Sequence, residues 1–396
     1  MKTKIRLSQL LVIGCFFGFF LFCLVWGLAQ PDRPSSAAEN RSLAQRPAMR
    51  RVVTDFGGFA RDFESYAADQ FPDREQLIGV YTALELAQGK KFARKAYCLQ
   101  GGWLLTKPTP TKPVDLSALQ QALAQAGALD RPLVWCVLPL KNEALYDLEP
   151  AYFSDETGKT NKQALIAALA QVEGLTVIDA EAPLVTGTLA DREQYFYKTD
   201  FHWNARGAFA AAQEIARQLA GAGTIAETSV PQAEDFLWSE LGGERRYQGD
   251  LNVWFSNQFS MQEDIPRYVP KNAADLRYFL HPGDIESVPR ETIVGSGLDK
   301  DPVTYNDVFT YNLGYYRVEN PDAPEAASVL ILKDSFQNAT IDYLSAIFRS
   351  VTVVDPRSYQ ETPDLASLLD ADGIDLVLFF YHQNNVSREL IDFLSA

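Results

Sequence analysis

The sequence predicts an α/β fold in which helices cover both faces of a parallel sheet. The chain has 396 residues, 47% of them hydrophobic, which is enough for one large or two ordinary globular domains. Short apolar runs alternate with segments of helical periodicity, and such runs are typical of strands that are buried on both sides. A long apolar segment at the N-terminus adds one predicted transmembrane helix, and a region rich in turns predicts a β-rich insertion.

The N-terminal segment is predicted to anchor the protein in a membrane. Uncharged apolar residues run from about 10 to 29, roughly the length of a helix that crosses a bilayer. Lys2, Lys4 and Arg6 precede this run, and a positive flank keeps the short end in the cytoplasm. We therefore expect residues 1–9 to form a cytoplasmic tail and residues 10–29 a single-pass anchor in the cell membrane. The remainder of the chain is then extracytoplasmic.

Two other interpretations of this segment stay open. Gly27-Leu28-Ala29 offers small residues suited to cleavage of a signal peptide, although the apolar core of a signal peptide is normally shorter. Val12-Ile13-Gly14-Cys15 looks like a lipoprotein box, but apolar residues continue past Cys15, where a mature lipoprotein becomes polar. The length of the run favours the retained anchor.

Residues 30–95 are predicted to contain a linker followed by helices. Residues 31–38, with two prolines and two serines, form the expected linker. Apolar residues then recur at helical spacing over 56–92, and Phe71-Pro72 interrupts the pattern. This arrangement predicts two helices.

Residues 96–396 are predicted to form the α/β domain. The predicted strands are 132–139, 175–179, 328–332, 351–355 and 375–381, and the predicted helices are 159–172, 204–219, 339–348 and 363–369. Between about 222 and 324 the sequence is rich in aromatic residues, Gly, Pro and Asn, which predicts an insertion of turns and antiparallel strands, with short runs such as 251–255. This insertion is either a lid or wall for a substrate or an ordinary structural elaboration.

Composition argues against several kinds of site. The net charge of −15 disfavours a surface for nucleic acid or anionic membranes, because those partners require clustered Lys and Arg. The sequence has neither the Cys/His spacing of a metal site nor a nucleotide motif, so we expect no metal and no cofactor. Cys98 and Cys136 are the cysteines outside the apolar segment, and two cysteines do not make a disulfide framework. Cys136 lies in the apolar run 133–138, which favours a buried free thiol.

The main functional pattern joins Asp200, His202 and Ser335. Side chains two residues apart in extended backbone point to the same side, so Asp200 is expected to reach the same pocket as His202. Ser335 follows the predicted strand 328–332, which places it at the carboxyl end of a parallel strand, where open α/β sheets bind ligands. A serine hydroxyl becomes a good nucleophile when an imidazole takes its proton and a third group orients the imidazole. The chain has three histidines, which narrows the choice of base.

The segment that begins at Ser335 also offers candidate oxyanion donors. The backbone N–H of Ser335 and the side chain of Asn338 lie near the start of a predicted helix, where a developing negative charge is stabilised. Taken singly, these residues also have ordinary structural roles. Asp334-Ser335 is a common helix-capping pair, and His202 precedes a helix for which Asn204 is the expected N-cap. The combination is more specific than its parts.

Six blocks of residues follow one another through the region after the predicted anchor. They are Glu39-Asn40-Arg41-Ser42-Leu43-Ala44 with Pro47, Asp69-Gln70-Phe71-Pro72-Asp73-Arg74, Gly101-Gly102-Trp103-Leu104, Thr199-Asp200-Phe201-His202-Trp203-Asn204 with Gly207, Lys333-Asp334-Ser335-Phe336 with Asn338, and Val354-Asp355-Pro356-Arg357 with Tyr359. Together they closely resemble the DHHW family and the related SGNH-hydrolase-like proteins of alginate O-acetylation. The DHHW pattern has a histidine at the position of Phe201, a side chain that we expect to point away from the triad.

The resemblance implies an SGNH-hydrolase-like, flavodoxin-like catalytic domain over 96–396, with Ser335 as nucleophile, His202 as base and Asp200 as the group that orients it. It also implies acetyl transfer to a cell-surface or exported polysaccharide, with a membrane-bound O-acyltransferase as the partner that supplies the acyl group. Transfer and hydrolysis use the same groups and differ only in whether a sugar hydroxyl or water meets the acyl-enzyme. The sequence therefore leaves a serine O-acetyltransferase and a carbohydrate esterase both open.

A non-catalytic alternative is a polysaccharide-binding or scaffold partner of the membrane-bound O-acyltransferase, and the presence of all three triad residues argues against it.

Among candidate substrate contacts, Arg357 either meets an anionic polymer or neutralises Asp355. Tyr381 ends the last strand, on the same rim as Ser335. The neighbouring polar residues His382, Asn384 and Asn385 share that rim, and the aromatic candidates for stacking on sugars, each also a plausible core residue, are Trp103, Trp203, Trp238, Trp254, Tyr247 and Tyr268.

Overall fold

The computed structural model describes most of the chain, and the described residues form two compact units. The described ranges are 7–36, 41–93, 96–107, 114–149, 156–241, 246–260, 262–359 and 364–395. Most of the predicted tail, together with Glu39, Asn40 and Pro363, lies outside these residues. The first unit is Met1–Arg94 with Asn252–Gln258, and the second is Lys95–Leu251 with Phe259–Ala396.

Helices and strands are numbered here in chain order. The strands are β1 (Ser35–Ser36), β2 (Arg41–Ser42), β3 (Phe92–Ala93), β4 (Ala96–Cys98), β5 (Leu104–Thr106), β6 (Leu133–Val137), β7 (Leu175–Asp179), β8 (Phe236–Leu241), β9 (Ile265–Pro270), β10 (Arg277–Phe279), β11 (Tyr315–Glu319), β12 (Glu325–Lys333), β13 (Phe348–Val354) and β14 (Leu376–Tyr381). The helices are α1 (Leu7–Ala29), α2 (Arg51–Thr54), α3 (Phe56–Asp69), α4 (Arg74–Ala87), α5 (Leu116–Gly127), α6 (Lys141–Ala144), α7 (Glu156–Leu169), α8 (Ala182–Val185), α9 (Leu189–Glu193), α10 (Ala205–Gly221), α11 (Asp250–Trp254), α12 (Tyr305–Val308), α13 (Ile341–Leu344), α14 (Leu365–Ala371) and α15 (Arg388–Ser395).

The first unit consists mainly of α1, α3 and α4. The stretch Gln9–Gly27 of α1 is long and apolar enough to cross a membrane, a property that a signal sequence near an N-terminus shares. The two helices predicted over 56–92 are confirmed as α3 and α4, and Phe71-Pro72 lies between them. The N-cap of α3 is Asp55, whose carboxylate accepts a hydrogen bond from Gly58 N at 2.9 Å.

Seven strands of the second unit form one mixed sheet in the order β10-β11-β13-β12-β14-β6-β7. The five strands from β13 to β7 are parallel, as predicted. At one edge the sheet continues with β11 and β10, which are antiparallel. Both edge strands come from the predicted insertion, and their buried side chains, Tyr278, Phe279, Tyr316 and Val318, extend the core to this edge.

Apolar side chains cover both faces of the sheet because they alternate along its central strands. In β12, Val329 and Ile331 belong to a cluster that includes the buried face of α10, whereas Leu330 and Leu332 pack with α5, α7, α14 and α15. The helices therefore form a layer on each face, and the sites at the strand ends lie between the two layers.

Two segments differ from their predicted structure. The helix expected over 339–348 is limited to α13, and Phe348 already begins β13. Residues 251–254 of the run 251–255, which was expected as a strand, belong to α11. In both places apolar residues follow one another closely, and a short apolar run does not distinguish a helix from a strand. The predicted antiparallel strands of the insertion are present, since β8 and β9 pair with each other and β10 pairs with β11.

Candidate active site

Ser335 lies where the sheet topology reverses. β12 lies between β13 and β14 in the sheet. The chain passes from β12 to β13 on one side and then crosses to β14 on the other, and ligands of open α/β sheets bind at such switch points. A 3₁₀ helix, Ser335–Ala339, begins directly after β12. Asp334 caps it by accepting a hydrogen bond from Phe336 N at 2.9 Å. Ser335 is partly exposed, whereas its neighbours Asp334 and Phe336 are buried.

Asp200 and His202 lie in the bend that precedes α10. Asn204 is the N-cap of this helix, as predicted, since its Oδ1 accepts from Arg206 N at 2.9 Å and from Gly207 N at 3.3 Å. The backbone before Asn204 is bent rather than extended. Asp200 and His202 meet because Asp200 Oδ1 accepts from the backbone N–H of His202 at 3.0 Å.

The three predicted triad side chains form one hydrogen-bonded chain. His202 Nδ1 lies 2.8 Å from Asp200 Oδ1, and His202 Nε2 lies 2.9 Å from Ser335 Oγ. A carboxylate at Nδ1 favours the tautomer with its proton on that nitrogen, which leaves Nε2 free to accept the proton of the serine hydroxyl. The arrangement can therefore activate Ser335 as a nucleophile.

The carboxylate of Asp200 is fully buried and accepts four hydrogen bonds. Its Oδ1 accepts two from His202, while its Oδ2 accepts from Tyr247 Oη at 3.0 Å and from Asp250 N at 3.2 Å. Burial acts to raise the pKa of Asp200, but the charge of His202 and the hydrogen bonds to the carboxylate outweigh it and lower the pKa below its usual value. Asp200 is accordingly an anion at neutral pH.

Aromatic side chains enclose the imidazole of His202. Its ring stacks on Tyr305, with centroids 3.9 Å apart and planes at 10°, and Phe336 lies 5.1 Å away. The ring of Phe201 is 4.0 Å from that of His202. The expectation that Phe201 points away from the triad is therefore wrong, because the bend at this position breaks the alternation of an extended strand.

Trp203 links the segment of His202 to that of Ser335. Its indole Nε1 donates a hydrogen bond to the carbonyl oxygen of Phe336 at 3.0 Å, and both residues are fully buried. Trp203 is thus a core residue rather than a surface for stacking on sugars. Trp103 is also buried and packs against the ammonium groups of Lys141 and Lys198.

The structure does not bring Asn338, Arg357 or Tyr381 into the hydrogen-bonded chain of the triad. Asn338 Nδ2 donates to Asn312 Oδ1 at 2.8 Å, and its Oδ1 accepts from the buried Lys333 Nζ at 2.5 Å. Arg357 donates from Nε and Nη2 to Asp355 at 2.9 and 2.7 Å, which is the neutralising contact that the sequence allowed.

Tyr381 is buried and lies on the face of the sheet opposite to Phe336. Its ring packs near Trp135, and its hydroxyl has no hydrogen-bond partner among the described residues. The alternation along β14 accounts for this, because Phe380 takes the face that carries His202.

The rim residues after β14 surround Asp334 instead. Asp334 Oδ2 accepts from His382 N at 3.3 Å and from Asn385 Nδ2 at 3.2 Å, and His382 Nε2 lies 3.8 Å from the same oxygen. Burial lowers the pKa of His382. Nothing in the sequence indicates that His382 lies beside the carboxylate of Asp334, because the two residues follow different strands.

Asp250 is a neighbour of the triad that the sequence did not indicate. Side-chain atoms of Asp200, His202 and Asp250 that could coordinate a metal ion lie within 4.8 Å of one another. Burial and the charge of Asp200 raise the pKa of Asp250 to about 6. A cation shared by these groups would compete with the hydrogen bonds that join Asp200, His202 and Ser335, so the chemistry of this set suits proton transfer better than metal binding.

Part of the chain is similar to a known protein family. Residues 106–275 match the SGNH hydrolase-like domain of the acetyltransferase AlgX. The resemblance predicted from the sequence blocks is thereby confirmed, and residues 106–275 are similar to an acetyltransferase-like SGNH domain. The matched range contains Asp200 and His202, whereas Ser335 lies beyond it. No curated protein matches the sequence.

Solved structures share the fold. Bacillus cereus PatB1 is 23% identical with a TM-score of 0.60, over 74% of this chain and 97% of that chain. PatB1 with a sulfonyl adduct is 22% identical with a TM-score of 0.62, over 74% of this chain and 95% of that chain. A DHHW family protein from Eubacterium siraeum DSM 15702 is 17% identical with a TM-score of 0.54, over 76% of this chain and 94% of that chain. The predicted SGNH-like α/β fold is therefore confirmed.

Proposed function

We propose that the protein is a membrane-anchored, extracytoplasmic serine O-acetyltransferase or esterase that acts on a cell-surface or exported polysaccharide. The observation that carries the proposal is the unbroken hydrogen-bonded chain from Asp200 through His202 to Ser335. The similarity of residues 106–275 to an acetyltransferase domain supports acetyl as the acyl group.

In the first half-reaction, Ser335 Oγ attacks the carbonyl carbon of an acetyl donor and its proton passes to His202 Nε2. A bond forms between Oγ and the carbonyl carbon, and the carbonyl oxygen becomes an oxyanion. The oxyanion then collapses, the bond to the leaving group breaks, and the leaving group takes the proton from His202. Acetyl-Ser335 remains, and buried Asp200 stabilises the imidazolium that forms in between.

In the second half-reaction, a sugar hydroxyl or water takes the place of the leaving group. His202 removes the proton of this acceptor, the acceptor oxygen attacks the acetyl carbonyl, and the ester to Ser335 breaks as Oγ regains a proton. Transferase and esterase activities differ only in which acceptor binds. Both activities use the same nucleophile and the same base.

For the oxyanion, the proposed donor is the backbone N–H of Ser335. It lies at the first position of the 3₁₀ helix, where an amide has no intrahelical acceptor. Asn338 has a second amide proton beyond the one donated to Asn312, and it is the second proposed donor.

A sugar acceptor requires apolar contact as well as hydrogen bonds. Trp238 is 42% exposed, packs on Tyr268 with ring centroids 4.5 Å apart, and has the guanidinium of Arg206 5.0 Å from its ring. These contacts fix the orientation of a partly exposed ring, which supports apolar contact with a sugar. Arg357, with one third of its side chain exposed, is the proposed contact for an anionic polymer.

The membrane assignment is part of the same proposal. Residues 1–9 form a cytoplasmic tail, 10–29 the anchor, 30–95 a linker with helices, and 96–396 the extracytoplasmic catalytic domain. A membrane-bound O-acyltransferase supplies the acyl group. Protease added to intact cells should digest the domain and leave an N-terminal tag protected, whereas protection of a C-terminal tag would contradict this orientation.

The activity is tested with the purified full chain in detergent and an activated acetyl ester, with and without a polysaccharide acceptor. Ester cleavage should depend on Ser335, and a transferase should also place acetyl on the polysaccharide. The control is His281→Ala, an exposed histidine outside the site. If Ser335→Ala retains most of the wild-type rate, the enzyme assignment fails and a scaffold for the O-acyltransferase becomes the better account.

A further inference from the structure

The segment that carries the triad carboxylate lies between two buried charged side chains, Lys141 and Glu263. Lys141 is the first residue of α6, and 2% of it is exposed. Its Nζ donates to the carbonyl oxygens of Leu104, Lys198 and Asp200 at 2.7, 2.8 and 2.7 Å. An ammonium group has three protons, so these three carbonyls use all of them.

Glu263 binds the same segment through its amides. Its carboxylate accepts from Lys198 N at 2.5 Å, from Thr199 N at 2.9 Å and from the hydroxyl of Thr199. Glu263 precedes β9, so it comes from a part of the chain distant in sequence from Lys141. The segment Lys198–Asp200 is thus held by a cation on its carbonyls and an anion on its amides, and we call Lys141 and Glu263 the clamp.

Backbone contacts confine the segment Lys198–Asp200 further. The carbonyl of Thr199 accepts from Leu251 N at 3.1 Å. Gly249 approaches so closely that a Cβ there would lie 2.2 Å from the carbonyl group of Thr199. Such a contact is possible only for glycine, so the segment is confined sterically as well as by hydrogen bonds.

A buried charged side chain is costly to fold unless its partners compensate for lost hydration. Burial lowers the pKa of Lys141 and raises that of Glu263, and the opposite charges of Lys141, Glu263 and Asp200 counteract these shifts. Apolar residues would fill this space at less cost. The clamp therefore needs a reason beyond packing, and its contacts all converge on the backbone next to Asp200.

We propose that Lys141 and Glu263 are positioning residues that fix the backbone of Lys198–Asp200 and, through Asp200, the ring of His202. The kinetic consequence rests on the proposed function, whereas the structural one does not. Neither side chain contacts His202 or Ser335, so its effect on catalysis must pass through Asp200. The expected signature is a loss of kcat with little change in KM.

The expected loss of kcat follows from how far Asp200 can move before its hydrogen bond to His202 breaks. Asp200 Oδ1 and His202 Nδ1 are 2.8 Å apart, and a displacement of about 1 Å takes them beyond hydrogen-bond reach. Misplacement of that order costs roughly 10²-fold in rate. Lys141→Met should therefore lower kcat for ester cleavage about 10²-fold. Glu263→Gln should also lower kcat, because the side-chain NH₂ of glutamine would face the backbone N–H groups of Lys198 and Thr199, which are donors as well.

Two measurements on the full chain in detergent test the proposal. Hydrogen exchange followed by mass spectrometry should show faster exchange at Lys198–Asp200 in Lys141→Met and in Glu263→Gln. Thermal unfolding of both variants should remain cooperative. In a double-mutant cycle, Lys141→Met should cost less than about twofold when Asp200→Asn is already present, since the interaction through which it acts has been removed.

Matched controls come from other half-buried charged side chains of the same unit. Glu325 at the start of β12 accepts from Ala226 N at 2.7 Å and Ser229 Oγ at 2.5 Å, so Glu325→Gln disturbs a similar contact at the opposite end of the strand from Ser335. Arg290 donates to Asp342 and Tyr278, so Arg290→Met removes a largely buried cation elsewhere. Both should leave kcat and the exchange of Lys198–Asp200 near wild type.

The outcomes separate the two proposals. If Lys141→Met lowers kcat by the same factor with and without Asp200→Asn, or if exchange at Lys198–Asp200 does not change, the clamp is refuted. If Lys141→Met does not fold, Glu263→Gln decides by the same two measurements. If wild-type protein cleaves no ester, the proposed function fails, and the exchange experiment alone still decides whether the clamp holds the segment.

Discussion

Asp200→Asn perturbs the triad with almost no change in side-chain shape. The wild-type carboxylate accepts four hydrogen bonds, two on each oxygen. An amide has one acceptor oxygen and one donor nitrogen, so one side of the site loses its acceptor. If the amide nitrogen faces His202, the ring must carry its proton on Nε2 and cannot take one from Ser335. If it faces the other way, it opposes the N–H of Asp250.

The wrong tautomer is the more damaging result. In serine proteases the equivalent change lowers kcat about 10⁴-fold, which corresponds to about 5.4 kcal/mol at 1.36 kcal/mol per factor of ten. The donors that lose an acceptor add a stability cost of about 1–3 kcal/mol each. We therefore expect a folded variant with a lower melting temperature and about 10⁴-fold slower ester cleavage.

The assay measures kcat and KM for an activated acetyl ester after circular dichroism has confirmed folding. Nitrogen-15 chemical shifts of His202 report which ring nitrogen carries the proton in each variant. A loss of less than tenfold, with the His202 tautomer unchanged, would refute the assignment of Asp200 as the orienting group. His281→Ala serves as the control, because the exposed His281 lies outside the site.

Three further predictions use other contacts of the site. Ser335→Ala and His202→Ala should each reduce ester cleavage to the background left by binding alone, and the double variant should lose no more, because the two residues act as a unit. Trp203→Phe should lower the free energy of unfolding by about 1–3 kcal/mol in denaturant titrations, since it orphans a buried carbonyl. Burial and nearby charge raise the pKa of Asp250 to about 6, so the ionised form destabilises the fold above that pH. Asp250→Asn should then raise the melting temperature more at about pH 8 than at about pH 4, and equal shifts would contradict this.

The elements that the sequence predicted well are those with a strong local pattern. The buried parallel strands and α10 are long enough for their periodicity to be distinctive, and Asn204 is an N-cap by its chemistry. Asp200, His202 and Ser335 were found because triad chemistry requires these residue types. Their proximity follows from the position of Ser335 at the carboxyl end of a central strand.

The remaining features depend on contacts between distant parts of the chain. Nothing in the sequence near Lys141 or Glu263 indicates that both bind the backbone beside Asp200, because 122 positions separate them. Tyr381 was predicted at the site from its place at a strand end, but alternation along β14 turns it to the other face. Sequence patterns identify which residues have suitable chemistry, and the folded backbone decides which of them meet.

The most direct test of the central claim is the site of acetylation during turnover. The full chain is mixed with an activated acetyl ester, quenched in acid, digested and examined by mass spectrometry. The account predicts one acetyl group on Ser335 that disappears when an acceptor is added before the quench, and no acetylated peptide from Ser335→Ala. Acetylation of another residue at the turnover rate, or ester cleavage by Ser335→Ala at the wild-type rate, would contradict it.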